Sequence, residues 1–109
     1  REILLIPFPF TDFSTFKQRP GIVVSSDRFN RAGKDVVIAA ITSHSISRKT
    51  PYEYHLSQAE QEEACLPLPS IIKLGKIVTI DARLIRKRLG SLSGASTALI
   101  AKSLQNIFQ

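Results

Sequence analysis

Arg19 stands directly before Pro20, two residues after Lys17. A guanidinium is a planar fork of donors suited to a phosphate, and a hydroxyl beside it can hold a phosphate oxygen as charge develops there. Such hydroxyls are present at Thr42 and Ser43, which close the apolar run 36–41. Lys73 sits in a long β-branched stretch and supplies another cation. Together these residues suit phosphodiester chemistry. The plainer reading is a solvating loop charge and a polar strand end, and only convergence in space separates the two. His44 follows Ser43 at the strand end and reads as a substrate contact. His55 lies in an alternating run, on the face opposite Tyr52 and Tyr54, and reads as an exposed strand histidine.

Other features extend the candidate surface. Phe13 and Phe16 lie towards the basic end of the stretch 7–20 and suit stacking on unpaired bases. Phe8 and Phe10 alternate with Pro7 and Pro9 and read instead as anchors of that stretch's root. Arg48 and Lys49 make a second basic loop, and Arg83, Arg86, Lys87 and Arg88 form a further cluster. A charge run is most often a solvated face, but several in a small chain fit a groove that tracks a phosphate backbone. No Gly-rich phosphate loop, zinc-ligand pair or nucleophile elbow occurs, so no metal or cofactor is expected.

Composition agrees with a polyanion partner. The chain has 109 residues, the length of one domain spanning 1–109, with a formal net charge of +6. RNA, DNA or an acidic protein segment are the partners such a charge favours. Hydrophobic residues make up 43%, enough for one core, and no apolar run approaches a membrane span. The single Cys65 has no disulfide partner within the chain and reads as structural, which with the lack of a secretory signal points to the cytoplasm. The chain opens directly on a strand-like run, and a few further residues are expected before it.

Positioning these residues calls for a mostly β fold. Strands are expected over 2–6, closed by Pro7 and buried on both faces; over 21–26; and over 35–41. The run 52–56 should put Tyr52, Tyr54 and Leu56 on one face. Residues 57–65 read as a solvated or helical turn. A long strand follows over 70–80, with Gly75 marking a bulge, and a short one near 87–90. Residues 11–18 read as a flap reaching over a groove. From an N-cap at Ser93 the period changes: Leu99, Ile100, Leu104, Ile107 and Phe108 recur at helical spacing. Many short strands and one closing helix suggest a small, partly closed barrel that protects its sheet edges.

The ordered motifs "ILLIPFPFTDFSTFKQRPGIVVSS", "DVVIAAITS", "PSIIKLGKIVTID" and "KRLGSLS" cover nearly the whole chain. Their series resembles the MazF/PemK family of toxin endoribonucleases from bacterial type II toxin–antitoxin systems. The resemblance implies an SH3-like barrel with a C-terminal helix and short helical turns, a homodimer, and an acidic antitoxin partner. It also implies metal-independent cleavage of single-stranded RNA, the 2′-hydroxyl attacking the adjacent phosphate to leave a 2′,3′-cyclic phosphate. Arg19 and Thr42 match that family's catalytic positions, and Lys17, Ser43, His44, Arg48, Lys49, Lys73 and Phe16 are then substrate contacts. Some members carry a basic residue and, two positions later, an aspartate proposed as general base. This chain has Lys73 and Gly75 there. Asp12 and His44 are the candidates to replace that base. A non-catalytic nucleic-acid-binding module and a gyrase-inhibiting toxin on the same fold are the alternatives.

Overall fold

Branched aliphatic runs fit a pleated surface that is covered on both sides, and those of this chain form one sheet. The computed structural model describes residues 1–9, 16–43 and 50–108. Its strands are β1 (Glu2–Pro9), β2 (Phe16–Val23), β3 (Asp35–Ser43), β4 (Glu53–His55), β5 (Ser70–Asp81) and β6 (Lys87–Ser91). Helix α1 (Asp27–Ala32) joins β2 to β3, α2 (Gln58–Glu63) joins β4 to β5, and α3 (Gly94–Gln105) follows β6. The six strands form one antiparallel sheet in the order β4-β5-β3-β2-β1-β6. The mostly β architecture and the final helix agree with expectation. Among the described residues the sheet is open, with β4 and β6 as its edges.

Alternation assigns the two faces. Ile3 opposes Ile22, which opposes Ala39. This face continues through Ile41, Ile72 and Leu74 into a core with Ala64, Leu66, Leu92 and Ile100. The other face carries Leu4, Ile6, Val23, Val36, Ile38 and Ile80, with Phe8, Val78 and Ile85 packed against them. Ser93 caps α3 as expected, its hydroxyl accepting from the Ser96 amide. Ile100 is buried, and Leu104 and Ile107 join the core, but Leu99 and Phe108 remain exposed at 55% and 73%. Their spacing is helical, yet the buried stripe is narrower than the apolar pattern suggests. The α2 turn carries a capping box between Ser57 and Glu60. Cys65 is exposed with φ 59°, ending α2 in the left-handed region. The Cys65 amide donates to the Glu62 carbonyl and the Leu66 amide to that of Gln61, a Schellman ending. No helix among the described residues is long and apolar enough to cross a membrane.

Both strands of the first hairpin are longer than expected. β1 runs through Pro7 to Pro9 instead of ending at Pro7. The reason is directional. The Leu5 carbonyl accepts from the Arg86 amide, so odd-numbered β1 residues turn their backbone groups towards β6. The β6 ladder ends at Leu5 opposite Lys87, so Pro7 and Pro9 lack donors just where that ladder has run out. β2 starts at Phe16, pairing with Pro9, so 16–18 belong to a strand and not to a flap. The remainder of the expected flap, 11–15, lies outside the described residues.

Candidate functional site

The bulge foreseen at Gly75 is present and it shapes the site. Ala39 pairs with Ile77 but the next residue, Ala40, pairs with Lys73, so 74–76 are extra on β5. An odd insertion exchanges the faces along β5. It thereby places Lys73 on the Leu4/Ile6 face, in line with Ala40 and Thr42. Arg19 is on that face too, because it opposes Ile6. Continuing the β2–β3 register from Gly21 opposite Ala40 brings Arg19 level with Thr42. Adjacent strands are about 4.8 Å apart, so the strands bearing Arg19 and Lys73 flank that of Thr42 at roughly 10 Å from each other.

The result is a cavity of about 190 Å³ lined by Phe8, Arg19, Ala40, Ile41, Thr42, Lys73 and Lys76. Three of these side chains are cationic, one carries a hydroxyl and none is acidic. The space suits a phosphate group with part of its ribose. A larger cavity of about 460 Å³ includes Arg1, Glu2, Asp27 and Asn30, and its two carboxylates make it the poorer anion site. Gly21 lies beneath the Phe8 ring. A Cβ there would lie 2.4 Å from Ile38 Cγ2, 3.1 Å from the Ala39 carbonyl oxygen and 3.3 Å from that ring, so a side chain at 21 would displace Ile38 and press on Phe8. Phe8 thus anchors the root of the stretch, as expected, and also walls the cavity.

The other expected contacts separate. Lys17 opposes Phe8 and shares the cavity's face, exposed and outside its lining. Ser43 alternates with Thr42 and therefore faces the opposite side of the sheet. For Phe16 the backbone alone is described, in the pair with Pro9. Asp12, His44, Arg48 and Lys49 lie outside the described residues, as do Phe10 and Phe13. In the cluster at 83–88, Arg83 grips Asp81 through two hydrogen bonds of 2.9 and 3.1 Å, and Arg88 bonds Glu2 at 2.9 Å. Those two charges are committed within the fold.

His55 overturns its reading as an exposed strand histidine. Its side chain is only 15% exposed, and Nε2 lies 3.7 Å from Glu53 Oε1. Glu53 is 11% exposed and accepts a direct hydrogen bond from the Lys73 ammonium, its partner across the β4–β5 ladder. That bond holds the Glu53 carboxyl below its ordinary 4.5, against the opposing pull of burial. Sequence reasoning missed this group because alternation put Glu53 and His55 opposite the tyrosines, where solvent was the natural expectation. The signal that existed was an acid and an imidazole two residues apart on one strand face of a basic chain. Among the described residues no group of three or more His, Cys, Asp or Glu side chains is placed to hold a metal ion.

Residues 1–108 match the family model described as PemK-like, MazF-like toxin of type II toxin–antitoxin systems. The chain belongs to this family. Solved structures repeat its fold. The chain is similar to Mycobacterium tuberculosis toxin MazF-mt6 at 20% identity and a TM-score of 0.78, with 99% of this chain and 96% of that one covered. It is similar to a mycobacterial endoribonuclease solved with its cognate antitoxin, at 19% identity and a TM-score of 0.77, covering 98% and 90%. A MazE–MazF structure from Deinococcus radiodurans matches at 16% identity and 0.72, covering 98% and 92%. No curated protein matches the chain. Identities this low carry the fold alone, and the MazF-like membership rests on the family model.

Proposed function

We propose that this MazF-like toxin is an endoribonuclease that cleaves single-stranded RNA, mRNA included, without a metal ion. The observation that carries the reading is the meeting of Arg19, Thr42 and Lys73 around one cavity whose lining, among the described residues, holds no acid. In this reading the scissile phosphate sits over Thr42, between the two flanking strands. The ribose 2′-oxygen attacks phosphorus and gives up its proton to a base. The new bond closes a 2′,3′-cyclic phosphate as the bond to the 5′-oxygen breaks, and that oxygen leaves protonated. Arg19 and Lys73 balance the charge gathering on the equatorial oxygens, and the Thr42 hydroxyl donates to one of them. In the same reading Arg19 gives the leaving oxygen its proton. Lys76 and Lys17 extend the positive surface for flanking phosphates.

The same reading gives the protein a cytoplasmic life with an acidic antitoxin, whose carboxylates would occupy the cationic cavity in place of RNA. Two similar structures are of toxins with their antitoxins. A homodimer accords with the exposed Leu99 and Phe108. A second reading, a non-catalytic nucleic-acid-binding module, draws on a lining without a carboxylate among the described residues and on Gly75.

Incubation with a long single-stranded RNA in EDTA decides between them. Fragments ending in 2′,3′-cyclic phosphate and 5′-hydroxyl are expected from the wild type, and at least about 100-fold less from Arg19→Ala. Intact RNA at high protein concentration, or equal cleavage by the variant, would sink the endoribonuclease reading.

A further inference from the structure

Lys73 is not simply a cavity lysine. It bridges inwards to a mostly buried carboxylate, Glu53, which the cavity lining does not include. Glu53 is held through its bond to Lys73: one oxygen accepts from that ammonium, and the other, Oε1, is buried 3.7 Å from His55 Nε2, too far for a hydrogen bond. The fold enforces the contact. Glu53 and Lys73 are direct cross-strand partners, and β4 is held to the core by Tyr54 and Leu56 on its other face. Tyr54 further donates a 2.7 Å hydrogen bond to Glu60 in α2. An edge strand of three residues is thus pinned by its neighbours while presenting an acid to one lysine.

We propose that Glu53 is a positioning residue of the phosphate cavity, orienting the Lys73 ammonium and offsetting its charge. The proposal rests on the phosphodiester reading of that cavity. A lysine on a four-carbon stem has many rotamers. A fixed carboxylate selects those that keep the ammonium over the cavity, with its remaining protons free for a phosphate oxygen. The carboxylate also lowers the positive potential that RNA meets in the ground state. Removing that negative charge should therefore tighten binding while loosening the geometry on which turnover depends. A merely structural role for Glu53 would not move these two quantities in opposite directions.

The test compares wild type with Glu53→Gln, Lys73→Gln and the double variant. Turnover on single-stranded RNA is measured together with affinity for a 2′-deoxy oligonucleotide that lacks the attacking group. Glu53→Gln is expected to lower kcat about tenfold and to bind the oligonucleotide about three- to tenfold more tightly. In the Lys73→Gln background the same change should do neither. Unchanged kcat and affinity, or effects that persist without Lys73, would overturn the proposal. If circular dichroism shows Glu53→Gln unfolded, Glu53→Asp takes its place. It keeps the charge but shortens the reach, so affinity should hold while kcat falls, and a parallel loss of both would overturn the proposal. Should the wild type cleave no RNA, the endoribonuclease reading fails on its own. The oligonucleotide affinities then decide on Glu53: tightening that requires Lys73 supports it, and unchanged affinity overturns it.

Discussion

Position 75 concentrates the chemistry left open by the cavity. Among the described residues the lining holds cations and a hydroxyl but no carboxylate, so under the proposed cleavage they offer no carboxylate to take the 2′-hydroxyl proton. Gly75 lies in the β5 bulge next to Lys76, where no ladder to β3 constrains it. A Cβ built there meets nothing within 4 Å, and its φ is not in the left-handed region. Glycine is therefore not required by the backbone or by the space. Gly75→Asp should leave stability within about 0.5 kcal/mol of wild type, as exposed substitutions away from special geometry do. If the base acts from this bulge, cleavage should rise by about tenfold or more, within the reach of a placed general base. Urea unfolding and the initial rate on a single-stranded RNA check the two halves separately. A stable variant with an unchanged rate places the proton acceptor elsewhere. Arg19, Thr42 and Lys73 are legible in the sequence because each type announces its chemistry, and the registers of β2, β3 and β5 bring them around one cavity. Ser43 shares Thr42's chemistry but not its face, which only the strand's alternation decides. Glu53 gives no signal of its own and His55 reads as exposed because their burial comes from β5 and its register, and a strand read alone does not reveal that.

At the scale of elements, β4 is tied to α2 by a polar contact as well as to the core by apolar ones. The Tyr54 hydroxyl bonds Glu60, whose carboxylate also completes the α2 capping box. Burial, reinforced by that carboxylate, pushes the Tyr54 phenol up to about 12 from 10. The folded value is above the unfolded one, so the protonated phenol favours folding. That contribution is whole below pH 10 and disappears as pH rises from 10 to about 12. Tyr54→Phe removes the tie at every pH. Its stability deficit against wild type should be on the order of 1 kcal/mol at pH 8, reduced from the full shift because the ring is only half-buried and solvent screens the pair. The deficit should close towards zero by pH 12. Denaturant unfolding of both proteins across this range measures it, and a deficit that stays constant would show that the hydroxyl is not coupled to folding. The elements themselves were largely legible from the sequence: the Gly75 bulge, the Ser93 cap and the turn before Cys65 all follow from local chemistry. The early start of β2 and the passage of β1 through two prolines were not. Both follow from which side of β1 lacks a partner, and that depends on where β6 stops pairing.

Over the whole molecule, the 15 Lys and Arg side chains are not equally available to an RNA strand. Arg83 and Arg88 are spent on Asp81 and Glu2, and Lys73 is offset by Glu53. The sequence displayed these clusters as equals, because pairing with acids distant in the chain, such as Glu2 with Arg88, leaves no local signature. Among the described residues the cations lining the cavity are Arg19, Lys73 and Lys76, with Lys17 next along β2 on the same face. Neutralising three or four phosphates of a single strand gives a slope of about −2 to −3 in log affinity against log salt, from roughly −0.7 per contact. Fluorescence anisotropy with the 2′-deoxy oligonucleotide between 50 and 300 mM KCl would read it. Lys76→Ala should flatten the slope by about 0.7 and weaken binding similarly across sequences, as a phosphate contact does. Lys87→Ala, remote from the cavity lining, should leave the slope unchanged. A wild-type slope steeper than about −4, or one flattened by Lys87→Ala, would mean that the strand runs on across β6, and the cavity would then be one end of a longer groove.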